Sequence, residues 1–141
     1  MKKVVVVQFL CVLTVLFLVI GCGGKYSDAK KMNEKYINLV KDYIADLDKS
    51  ANAADVAKAI NRFADGMEVL VPKMQKLSEK YPELKDRANP PEELKESRKR
   101  AEEVGYKMGA SMMKIMPYMS DPEVQKAQKR FGAFMMKKQG G

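Results

Sequence analysis

The stretch Asn52–Tyr81, NAADVAKAINRFADGMEVLVPKMQKLSEKY, decides the fold. Within it Val56, Ile60, Phe63, Met67, Leu70, Met74, Leu77 and Tyr81 follow one another at alternating steps of four and three residues. Such steps keep all eight side chains on one stripe of an α-helix, because each pair of steps returns close to the same azimuth. An apolar stripe of this length must be covered by other helices, so the chain reads as all-α. Asn52 stands where a side-chain oxygen accepts a free amide at a helix start, and Asp55 adds negative charge at the positive end of the helix. Pro72 removes one backbone donor inside the stripe. The apolar phase continues past it, which predicts one kinked but continuous helix over 52–81, with the kink available as a hinge.

Working outward, the preceding segment carries Met32, Tyr36, Ile37, Leu39, Val40, Tyr43, Ile44 and Leu47 at helical spacing. This face is broad enough to meet two neighbours, and it predicts a helix over 28–49 with its tyrosines in the core. On the other side, Tyr81-Pro82 ends the central helix. Asn89-Pro90-Pro91-Glu92 reads as a new start, with Asn89 as the cap and Glu92 at the capping-box position. The helix that follows is predicted over 90–116. Glu96, Arg98, Lys99, Arg100, Glu102 and Glu103 give its first half a solvated face of charges spaced for pairing along the helix. Pro117 stops it, Ser120-Asp121-Pro122-Glu123 supplies a second capping box, and Val124, Ala127, Phe131, Phe134 and Met135 form the inward face of a last helix over 121–137. The expected architecture is an antiparallel bundle of about four helices after an N-terminal signal helix, with no sheet.

Two patterns in the third helix bear on interactions. Ala101, Gly105 and Gly109 recur every four residues, leaving a face with almost no side-chain bulk that a neighbouring helix can approach closely. A partner within the same chain is the expectation, with a second copy as the alternative. Met108, Met112, Met116 and Met119 line another face, with Met113 beside them. Unbranched thioethers at helical spacing are expected to fill a core; the alternatives are an adaptable apolar groove for a partner helix or lipid, and small-ligand binding by this face, either of Cu(I) on these methionines or of an apolar molecule.

The N-terminal segment adds an address. Lys2 and Lys3 precede an apolar run from Val4 to Ile20, broken only by Gln8 and Thr14, which is the charge and hydropathy pattern of a secretory signal. The run ends in Leu18-Val19-Ile20-Gly21-Cys22. This segment resembles the lipobox of bacterial lipoproteins, with Val19 where Leu is commoner, and the resemblance covers the first two dozen residues. It implies removal of residues 1–21 and attachment of a diacylglyceryl group to Cys22, which becomes the mature N-terminus. Two or more acyl chains hold a protein stably at a membrane. Gly23 rather than Asp after the Cys implies transfer to the periplasmic face of the outer membrane where the source has two membranes, and otherwise retention at the outer face of the cytoplasmic membrane. A flexible tether over 22–27, a single domain over 28–138 and a frayed tail over 139–141 complete the expected organisation.

Composition narrows the function classes. The 141 residues contain no His and two Cys, and with Cys22 lipidated and Cys11 removed no thiol is left for a disulfide. The usual general base, zinc ligand and haem ligand are thereby missing. The serines form no nucleophile motif, and the paired acids Glu92-Glu93 and Glu102-Glu103 do not face one point on a helix. A non-enzymatic protein without cofactors is expected. Loss of Lys2 and Lys3 lowers the net side-chain charge from +8 to +6, an excess that suits anionic lipid or an acidic protein surface outside the cytoplasm rather than nucleic acid. The expected partners are the membrane, through Cys22, and an envelope protein.

Overall fold

The computed structural model describes residues 24–86 and 88–139. They form four helices: α1 (Ser27–Lys49), α2 (Ala53–Lys80), α3 (Glu92–Ser111) and α4 (Pro122–Gln139), with no strand among the described residues. Short 3₁₀ turns at Pro82–Lys85, Met112–Lys114 and Met116–Tyr118 occupy the connections. The signal segment and Cys22 lie outside the described residues. Among those residues no helix is long and apolar enough to cross a membrane.

Helix ends show where local chemistry decides. At α2, Asn52 Oδ1 accepts the Asp55 amide at 2.9 Å while Asp55 Oδ2 accepts the Ala51 amide at 3.1 Å, a reciprocal cap. The helix then runs unbroken through Pro72. At α3 the expected Asn89 cap is replaced. Asp86 captures the Ala88 and Asn89 amides at 2.9 and 3.1 Å and the Asn89 side-chain amide at 3.3 Å, so Asn89 is used in the turn and α3 starts after Pro91 without a side-chain cap. Before α4 the cap is Asp121, which accepts the Glu123 amide at 2.9 Å, and not Ser120. The third helix also ends at Ser111, short of the predicted 116. Pro117 cannot donate to the turn before it, and the chain tightens into i→i+3 bonds, Ile115 N to Met112 O at 3.0 Å and Tyr118 N to Ile115 O at 2.9 Å.

Successive helices run in opposite directions, as expected for the bundle, yet the spatial order is α3–α1–α2–α4. α1 and α2 form an antiparallel hairpin tied by Asp46–Arg62 at 3.2 Å and Asp28–Lys80 at 2.7 Å. α3 lies parallel to α1: Asn33 donates to Ser97 at 3.0 Å, Arg100 grips Glu34 through two bonds of 2.6 and 3.1 Å, and Lys114 pairs with Asp48 further along. α4 lies parallel to α2, where Arg130 bridges Asn61, Asp65 and Glu68 at 3.3, 2.5 and 3.0 Å. Charges read as a solvated face along α3 thus act partly between helices, since Arg100 reaches Glu34 rather than Glu96. Among the described residues no packing of comparable extent joins α3 to α4. The connection through Pro82–Pro91 explains the order. It delivers the chain to the α1 side, where Leu94 is buried with Tyr26, Ala29 and Tyr81.

The main core lies between the α1–α2 hairpin and the two outer helices, and is built from Ile37, Val40, Tyr43 and Leu47 of α1 with Val56, Ile60, Phe63 and Met67 of α2. Val104, Ile115, Val124 and Ala127 close it from the α3 and α4 sides. The central stripe is buried as far as Leu70, while Met74 is exposed. Within the hairpin, Gly66 receives the end of the Leu39 side chain. A Cβ at Gly66 would lie within overlap distance of both Leu39 methyls, 2.8 Å from Cδ2 and nearer to Cδ1. A glycine inside a helix costs about 1 kcal/mol relative to alanine, and here close packing of the two helices offsets it.

Candidate functional site

Because α3 and α4 each pack on a different inner helix, a groove opens between them. Its floor is Tyr43, Ile60 and Phe63, one wall is Met108, Met112 and Ile115, and the other is Gln128, Phe131 and Gly132, enclosing about 230 Å³. An aromatic series sets the floor: Tyr43 stacks on Phe63 with centroids 4.6 Å apart and planes inclined by 24°, and Phe131 meets Phe63 edge-on at 5.5 Å. Tyr43 is 7% exposed, yet its hydroxyl has no hydrogen-bond partner among the described residues and keeps some contact with solvent. Burial pushes its phenol up to about 12, so the group is a neutral O–H throughout the physiological range. Among the described residues no charged side chain lines the groove.

The groove continues into an apolar surface. Met112, Met113, Met116 and Met119 are 52%, 66%, 57% and 49% exposed, and Tyr106 stands at 83%. The expectation that this methionine face fills the core is therefore corrected. The helix gives way to 3₁₀ turns at Met112, which changes the azimuth of each residue after it and turns the thioethers outward. Of the four candidate Cu(I) ligands, Met108 and Met112 share the groove wall, whereas Met116 and Met119 lie outside its lining. The small-residue face divides as well. Ala101 packs against the core, but a Cβ placed on Gly105 or Gly109 would meet nothing within 4 Å. Among the described residues the expected close helix partner is absent there, because α3 meets α1 through Leu94, Val104 and Ser111 instead.

The other end of the bundle is polar and closed. Lys25-Tyr26-Ser27-Asp28 and Lys80-Tyr81-Pro82-Glu83 share the pattern Lys-Tyr-x-acid, and each grips the acid of the other. Tyr26 Oη and Lys25 Nζ both donate to Glu83 Oε1 at 2.6 Å; Lys80 Nζ and Tyr81 Oη donate to Asp28 Oδ2 at 2.7 and 3.4 Å. The two rings meet edge-on at 5.2 Å. The Lys25 ammonium and Tyr26 hydroxyl hold the Glu83 carboxyl down to about 2, and Lys80 lowers that of Asp28. Lys25 and Lys80 are correspondingly raised by the acids they bind.

Comparison with protein-family models, with curated proteins and with solved structures finds no match to this chain. Function is accordingly argued from the geometry of the two ends. Periodicity singled out Met108 and Met112 and put Tyr43 and Phe131 on inward faces, but it did not mark Gln128 or Gly132, nor that these residues meet, since they come from helices whose adjacency depends on the α3–α1–α2–α4 order. The Lys-Tyr-x-acid clasp left a short repeated signal at 25–28 and 80–83 that a search for paired motifs would find.

Proposed function

We propose that this chain is a lipid-anchored envelope protein, non-enzymatic, whose methionine-rich end engages an apolar surface of another envelope protein. The observation that carries the reading is the concentration of exposed Met112, Met113, Met116 and Met119 with Tyr106 in one short stretch, the other exposed large apolar side chains being Val69, Met74 and Met136. Flexible thioethers adapt to differently shaped apolar partners, which suits a docking surface. Exposed Lys107, next to Tyr106 in sequence, adds positive charge and favours a partner with an acidic rim.

The anchor supports the same reading. Cys22 precedes the clasp by only a few residues, so acylation there holds the Tyr26–Tyr81 end at the bilayer. Met112–Met119 lie beside the far end of α1, where Lys114 pairs with Asp48 and Tyr118 Oη approaches the Ala51 carbonyl at 3.4 Å. The 23 residues of α1 span about 34 Å at 1.5 Å per residue, which separates the patch from the membrane by a helix length. The lipobox resemblance implies that this end lies in the periplasm of a two-membrane cell, or outside the cytoplasmic membrane of a one-membrane cell.

Two measurements test the reading. Intact mass of the envelope-extracted protein should correspond to a diacylated or triacylated chain beginning at Cys22; an unmodified full-length chain refutes the anchor. A photo-crosslinking residue at Met113 should give one discrete adduct in intact cells that is absent when the same residue replaces Lys41 on α1. Equal adduct patterns from the two positions refute the docking surface.

A further inference from the structure

We propose that the groove between α3 and α4 is a binding site for one compact, neutral molecule: an aromatic or short aliphatic body that lies over the Tyr43–Phe63 stack and carries a single hydrogen-bonding atom matched to the Tyr43 hydroxyl. This goes beyond docking by the methionine-rich end, and holds whether or not that end meets a protein.

Three observations specify the ligand. The first is size: about 230 Å³ exceeds the roughly 150 Å³ that suffices for benzene in an apolar cavity and falls below the range of about 300–1,000 Å³ typical of drug-sized ligands. One ring system fits, whereas a helix about 10 Å across does not. The second is charge. The lining holds no acid or base, so an ion placed there would lose its hydration without a counter-charge. The third is the Tyr43 hydroxyl itself, on a side chain fixed by stacking at 4.6 Å on Phe63, without a protein partner among the described residues and still in contact with solvent. A hydroxyl so placed bonds water while the groove is empty, and a ligand that displaces this water keeps its affinity only if one of its atoms takes over the bond. Gln128, the other polar side chain of the lining, belongs to α4, across the groove from the methionine wall.

The wall also contains a built-in space. Gly132 borders the groove, and a Cβ added there meets no atom within 4 Å, so a side chain can start from this position without displacing protein. Met108 and Met112 on the opposite wall conform to whatever shape lies between.

Indole and indene test the proposal as a pair, since they share a fused-ring shape and differ in one N–H donor. The full chain, labelled at the methionine ε-methyls with ¹³C and held in phosphatidylcholine nanodiscs, is titrated with each probe at free concentrations fixed by equilibrium dialysis. The expected result is saturable shifts at Met108 and Met112 but not at Met113, with indole binding roughly five- to tenfold more tightly than indene, the factor of one hydrogen bond. Tyr43→Phe should leave indene binding in place and erase the preference for indole. Gly132→Leu should abolish both titrations while circular dichroism stays as in the unaltered chain and the melting temperature does not fall. Non-saturating shifts spread over all methionines, or equal affinities of the two probes before substitution, overturn the proposal. So does retention of the indole preference in Tyr43→Phe, a variant that removes a single oxygen and decides the matter should Gly132→Leu fail to fold.

Discussion

The two antiparallel helix pairs of this protein carry the same local feature and use it differently. α2 contains Gly66, α3 contains Gly105 and Gly109, and α4 contains Gly132, all inside helices. Of these four, only Gly66 lies under a neighbouring side chain, that of Leu39, and of the two pairs only α1 and α2 close on one another. The α3–α4 pair stays apart, each helix held to an inner one by arginine: Arg100 on Glu34 and Arg130 on Asp65 and Glu68. Small residues thus permit a close approach without causing it. What causes it is a matching protrusion on the partner and an apolar stripe on both helices. Where these are lacking, the space between helices becomes a groove.

Phe63 belongs to both regions, since it packs within the hairpin and forms the groove floor, and its removal is the severest test of their separation. Phe63→Ala should destabilise the fold by about 3–5 kcal/mol in chemical denaturation, because Tyr43 and Phe131 both lose their ring partner. A loss below about 1 kcal/mol would show that the groove floor is not part of the supporting core. Gly66→Val acts on the closed pair alone. It should cost about 1–3 kcal/mol by overpacking, and Leu39→Ala in the same chain should restore a measurable part of the melting temperature by clearing the methyls in its way. Independent, additive effects would disprove the close approach.

Gly109→Ala is the mirror experiment on the open pair. With nothing within 4 Å of the new methyl, the change should stabilise by about 0.5–1 kcal/mol through helix propensity; a clear destabilisation would reveal a neighbour at this face. The smallest effect concerns the clasp, which marks the end of the bundle opposite the methionine-rich patch. The carboxyls of Glu83 and Asp28 are held below their ordinary values, so their contribution to stability is present above the unfolded values and fades as the pH falls through the folded ones. Carbon-13 titration should place the Glu83 midpoint at about 2 rather than 4.5, and Glu83→Gln should flatten the acid limb between those values. An ordinary midpoint would mean that Lys25 and Tyr26 do not hold this acid in solution.

Much of the fold was readable from neighbouring residues. The four-and-three spacing from Val56 to Tyr81 announced α2, the Asn52–Asp55 pair announced its start, and the phase across Pro72 announced its continuity. Each of these signals involves residues within one or two helical turns, where backbone geometry dictates proximity. Readings failed where two nearby residues competed for one role. Asn89 and Asp86, or Ser120 and Asp121, each offer a suitable oxygen, and the turn conformation selects between them. The candidate site was less legible still. Met108 and Met112 were singled out only as part of a face with Met116 and Met119, and the groove they wall has its floor on α1 and α2 and its far side on α4.

The sequence by itself determined the all-α class, the helix count and the inward faces of α1, α2 and α4, because amphipathic period and capping are properties of contiguous residues. Tertiary structure alone decided that α3 runs beside α1 and α4 beside α2, that Gly66 meets Leu39 while Gly105 and Gly109 meet nothing, and that Met112 to Met119 face outward. Those outcomes depend on which helix the connection after Lys80 can reach, and on long-range pairs such as Glu34–Arg100 and Asp65–Arg130 that no local spacing encodes.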